Sequence, residues 1–136
     1  GAGAVLCALF AIFLGFYFTE YRLNIANINN EGLGEAISYA EELRASDPAD
    51  VPVYTTRYVA NYSKILFYTG MSPEEYLNTR VYQEDGQVAS LSHYIYADDT
   101  EGIGGDICIT YAENKEVCEA EGYKLRIFDT VAVAYR

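Results

Sequence analysis

Four carboxylates, Asp98, Asp99, Glu101 and Asp106, fall within one short loop-like stretch. Clustered hard oxygen ligands are what a calcium ion takes. The spacing departs from the EF-hand pattern, which needs acids at alternate positions, a glycine and then a glutamate at the twelfth. The stretch therefore reads as a solvated acidic turn. Within it, Gly102-Ile103-Gly104-Gly105 has the glycine content of a phosphate cradle. That cradle needs a helix N-terminus aimed at the anion, whereas strands are expected on both sides here. His93, the sole histidine, falls in an alternating run with Leu91 and Ile95. With no Ser or Cys in a triad context beside it, it reads as a packed or edge-facing residue rather than a general base. Cys108 and Cys118 pair readily if the domain is outside the cell, but sequence distance does not fix sulfur geometry, so disulfide and free thiols both stay open. One His and no C-x-x-C leave no metal set. Asn61-Tyr62-Ser63 matches the N-x-S acceptor pattern, a match common by chance. Glycosidase-like carboxylate pairs are uninformative among so many acids. No catalytic, cofactor-binding or metal residue is assigned, and no cofactor is expected.

The charge balance narrows the partners. With 20 Asp plus Glu against 9 Lys plus Arg, the net charge is −11. A phosphate backbone needs a basic surface, so nucleic acid is excluded as an expected partner. The 14 tyrosines and absent tryptophan fit an amphipathic surface, although Tyr packs equally well in half-buried strands.

The chain is organised around its beginning. Gly1 to Phe18 carries no charge, and as a helix it spans about 27 Å, close to the ~30 Å hydrocarbon core of a bilayer. A buried soluble helix normally has a polar face, and this one has none. Residues 1–21 are therefore expected to be a transmembrane helix in the lipid bilayer, with Tyr17 and Tyr21 at the interface. A cleaved signal peptide would have a basic start and a shorter apolar run. The missing initiator Met reads as a chain that begins inside a longer one. Few Lys or Arg follow the run, which puts the soluble part on the extracytoplasmic side of the cell membrane.

Residues 22–32 read as a juxtamembrane linker and 33–136 as one soluble domain. Leu33, Ala36, Ile37, Ala40 and Leu43 have helical spacing, and the helix stops by Asp47-Pro48. Val51–Thr56 is expected as a strand and Tyr58–Tyr68 as a helix. Ser72-Pro73-Glu74-Glu75 forms a capping box for a short helix ending near Asn78. Strands follow at Thr79–Gln83 and Val88–Tyr96 about a Glu84-Asp85-Gly86 turn. Ile107–Tyr111 is a strand and Ala112–Glu121 an acidic helix stopped by Gly122. Tyr123–Phe128 and Val131–Tyr135 form a hairpin about Asp129-Thr130. The fold class is α/β: an N-terminal transmembrane helix, then a small mixed layered domain with a C-terminal antiparallel hairpin.

The order of these features resembles a family. The run ending Gly15-Phe16-Tyr17-Phe18-Thr19-Glu20-Tyr21, then Gly32-Leu33-Gly34-Glu35-Ala36-Ile37-Ser38-Tyr39-Ala40, Ile65-Leu66-Phe67-Tyr68-Thr69, Ser72-Pro73-Glu74-Glu75-Tyr76-Leu77 and Val131-Ala132-Val133 is similar to the C-terminal end of bacterial multi-pass glycosyltransferases of the protein O-mannosyltransferase type. The resemblance implies an accessory, non-catalytic extracytoplasmic domain of an enzyme that uses a polyprenyl-phosphate-linked sugar. It implies that the catalytic acid lies upstream, so no catalytic residue carries over. Glycan or the lipid-linked sugar would then be partners through the full-length enzyme. Two rival expectations are a pilin-like surface protein with an acidic head and an extracytoplasmic sensor or binding module. Against the pilin, the first acid is Glu20, at the far end of the apolar run.

Overall fold

The computed structural model describes residues 1–18, 30–47 and 49–136. They divide into two compact units, Gly1–Asn30 and Glu31–Arg136. In the first, α1 (Ala2–Phe16) has apolar residues on every side and none of them buried. Phe10, Phe13 and Tyr17 stack along it, with centroids 6.4 and 6.1 Å apart. Among the described residues no helix is long and apolar enough to cross a membrane. Residues 19–21 of the expected span, and most of the 22–32 linker, lie outside the described residues.

The second unit is mixed α/β. Its elements are α2 (Leu33–Ser46), β1 (Val53–Thr55), α3 (Tyr62–Thr69), α4 (Pro73–Thr79), β2 (Val81–Tyr82), β3 (Val88–Leu91), β4 (Tyr94–Tyr96), β5 (Ile107–Tyr111), α5 (Lys115–Ala120), β6 (Lys124–Phe128) and β7 (Val131–Tyr135). The strands form one sheet in the order β2-β3-β4-β1-β5-β7-β6. β1 runs parallel to β4 on one side and β5 on the other, and both flanks are antiparallel. The expected antiparallel edge at the C-terminus is present, and a second one lies at the opposite side.

Register explains the burial. Val53, Tyr94 and Ile107 share a row, and Ile109 faces Val133. This face packs against Leu33, Ile37 and Ala40 of α2 and Ile65 of α3, making the main core. Each buried Leu, Ile or Val side chain here contributes about 1.5–3 kcal/mol of burial. On the other face Tyr54, Cys108, Ala134 and Leu125 line up and meet Cys118 of α5 and Tyr123. Covered on both sides, β5 and β7 read as continuous buried runs rather than alternating ones.

Three expected elements need correction. Val88–Tyr96 is not one strand: the chain turns at Ser92-His93, where Ser92 has φ 48°, and β3 and β4 pair antiparallel. Tyr58–Ala60 is not helical, because the Thr56 hydroxyl and carbonyl accept from Val59 and Ala60 N–H and close a separate turn. The helix begins only after Asn61, whose side chain caps Lys64 N–H at 3.1 Å. Ala112–Glu121 starts as a 3₁₀ turn, Ala112–Asn114, before α5.

Candidate functional site

The acidic loop is spent on its own architecture. Asp99 accepts from the backbone N–H of Glu101 and Gly102 at 3.0 and 2.7 Å. Asp98 accepts from Gln83 Nε2 at 2.8 Å, and Asp106 faces Arg136 at 3.8 Å. Among the described residues no cluster of three or more acidic, His or Cys side chains could hold a metal. The glycines serve close packing: a Cβ on Gly105 would stand 2.5 Å from the Tyr54 ring, and Gly105 has φ 61°. Cys108 and Cys118 are buried free thiols in one small cluster. Burial, above all, pushes both thiols up, Cys118 to about 11.

His93 does have a serine beside it. Ser92 Oγ is 3.2 Å from His93 Nδ1, and His93 Nε2 is 2.5 Å from Glu41 Oε1. Tyr94 also donates to Glu41. Burial alone would raise the Glu41 carboxyl, but hydrogen bonds from His93 and Tyr94, with the charges of His93 and Arg44, hold it below its ordinary value. The Ser–His–Glu chain resembles a nucleophile relay in membership only. Ser92 Oγ donates to Glu75 Oε1 at 2.8 Å, and Ser92 N–H donates to Thr79 Oγ1 at 2.9 Å. The N–H that would hold an oxyanion at such a nucleophile is consumed. The network pins α2 and α4 to the β3–β4 turn. Sequence reasoning missed it because Glu41 and Glu75 join Ser92-His93 only through the fold.

The better-formed site is a cavity of about 300 Å³ at the carboxyl ends of β1 and β4, where open α/β sheets receive ligands. Three segments build it. The Thr56 turn drives Val59 and Ala60 into the core and leaves Arg57 and Tyr58 facing out. The cap at Asn61 then sets Tyr62 in the first turn of α3, where its ring stacks on Tyr76 of α4 at 6.0 Å and 16°. The β2–β3 hairpin, closed by Gln83 N–H to the Gln87 carbonyl at 2.7 Å, carries both glutamine side chains to the rim. Tyr96 ends β4 at the cavity wall. It is only 8% exposed, and its hydroxyl is buried with no hydrogen-bond partner among the described residues. Burial, with the nearby Tyr76, drives this phenol well above its ordinary value. Beside the cavity the Arg80 guanidinium lies over the rings of Tyr76 and Tyr82 at 5.2 and 5.3 Å.

The tyrosine content was the only sequence signal for this cavity. Its chemistry is that of binding: ring faces, amides and a guanidinium, with no acid–base pair. Fold and site together define a mixed-sheet α/β protein with a small aromatic cavity at its parallel strand ends. No family model, curated protein or solved structure matches the chain.

Proposed function

We propose that the chain is the non-catalytic, extracytoplasmic end of a membrane glycosyltransferase that uses a polyprenyl-phosphate-linked sugar, anchored through residues 1–21. The observation that carries the reading is α1. Leu6, Leu9, Phe10, Ile12, Phe13 and Phe16 are 57–69% exposed. A helix apolar on all sides belongs in hydrocarbon or in a protein core, and none of its residues is buried. The described helix is shorter than a bilayer crossing, so the reading rests on its surface rather than its length. The engagement of Ser92, His93, Glu41 and Glu75 with one another supports an accessory role for the domain.

Two measurements test it. The full chain expressed in cells should sediment with membranes and resist carbonate extraction, and Leu9→Glu with Phe13→Glu should release it. Wild-type chain in the soluble fraction would end the membrane reading. The gene should encode, ahead of Gly1, further apolar spans with an acidic residue in an early outer loop. A short leader in that place would leave the anchor intact but remove the transferase.

A further inference from the structure

We propose that the cavity between the Thr56 turn, α3 and the β2–β3 hairpin binds one acidic sugar, a ring carrying a carboxylate or phosphate. The ligand class follows from the lining, not from the proposed membrane role.

Charge is the first observation. Although 20 of the 136 residues are acidic, no Asp or Glu lines this cavity. Arg57 does line it, and among the described residues its guanidinium has no carboxylate partner. It lies 5.9 Å over the Tyr58 ring instead. A guanidinium pairs planar, two-toothed anions such as carboxylate and phosphate. Asp98 accepts from Gln83, and no ion pair joins it to Arg57 among the described residues.

Ring recognition is the second. The Tyr62 ring lines the cavity and is ordered by stacking on Tyr76 through one face, which leaves its other face outside that stack. Such a face is electronegative and accepts the slightly positive C–H face of a saturated ring. The Gln87 amide supplies a donor and an acceptor together, as neighbouring hydroxyls require, and Asn61, whose Oδ1 is held by Lys64 N–H and Ser63 Oγ, adds its Nδ2 donor. About 300 Å³ lies at the small end of ligand cavities, enough for one ring rather than a chain.

Tyr96 is the third. A buried hydroxyl without a partner costs free energy; this one belongs to a residue of the cavity wall but has no accessible surface of its own, so a ligand meets it only as the wall gives way. A ligand hydroxyl would satisfy it.

The test is a calorimetric titration of the full chain in detergent with glucuronate, glucose 1-phosphate, glucose and inorganic phosphate. At least one acidic sugar should bind about tenfold or more tighter than glucose, the scale of one charge-assisted contact. Which of the two binds identifies the anionic group. Arg57→Gln should reduce it to the level of glucose. Tyr96→Phe should weaken it by about threefold or more while the urea midpoint stays level or rises, so that the loss is one of binding and not of folding. Four results would overturn the proposal: no acidic sugar binding below about 10 mM, glucose binding as tightly, phosphate alone binding as tightly, or an unchanged Arg57→Gln variant. The titration reads the folded domain, so its failure is separate from failure of membrane fractionation.

Discussion

Glu41 sits where two donors, His93 and Tyr94, and a guanidinium's field converge, and that fixes how the domain meets acid. Its carboxyl titrates below its ordinary value in the folded state. The stabilisation is therefore complete above the unfolded value and is lost as pH falls through the folded one. Urea midpoints should hold down to the ordinary carboxylate range and drop below it, and Glu41→Gln should lower the neutral-pH midpoint and flatten that acid limb. Gly105 supplies a second prediction. Gly105→Ala adds a Cβ against the Tyr54 ring at a left-handed backbone position, so it should cost about 1–3 kcal/mol in denaturant titrations. The thiols supply a third. Cys108 and Cys118 are buried and raised, whereas Cys7 is exposed. At neutral pH a water-soluble thiol reagent should leave Cys108 and Cys118 unmodified until denaturant releases them; rapid reaction of either in the folded chain would contradict the buried cluster.

At the level of elements, what could be read from sequence was what local residues decide. α2 follows from the spacing of Leu33, Ala36, Ile37 and Ala40, all buried. α4 follows from Ser72, whose side chain caps Glu75 N–H at 3.0 Å. Ser72→Ala should cost about 1 kcal/mol in thermal or urea unfolding. The β3–β4 turn was hidden for a physical reason. A two-residue turn at positive φ usually advertises itself with Gly or Asn, but here Ser92 is held from outside. Thr79 accepts its N–H and Glu75 its hydroxyl, and both residues come from α4. The capping box shows the same exchange: Glu75 lends its carboxylate to Ser92 rather than to the start of its own helix. The cavity was invisible because Arg57, Gln87 and Tyr96 meet only when β4 pairs with β1 on one side and β3 on the other. Nothing in their spacing announces a common wall.

For the whole molecule, the core of the second unit lies entirely within residues 31–136. The fragment 31–136 should stay folded and soluble, with an unfolding midpoint close to that of the full chain in detergent; loss of a cooperative transition would show that α1 is needed for the fold. The strand order carries one more consequence. β7 is made last among the strands yet sits inside the sheet, between β5 and β6. During synthesis β5 emerges with one side paired to β1 and the other still open. β6 has no neighbour at all until Val131–Tyr135 arrives. Open strand sides recruit other chains. A chain truncated before Val131 would therefore keep the open side of β5 exposed and leave β6 unpaired, and should self-associate more readily than the whole domain.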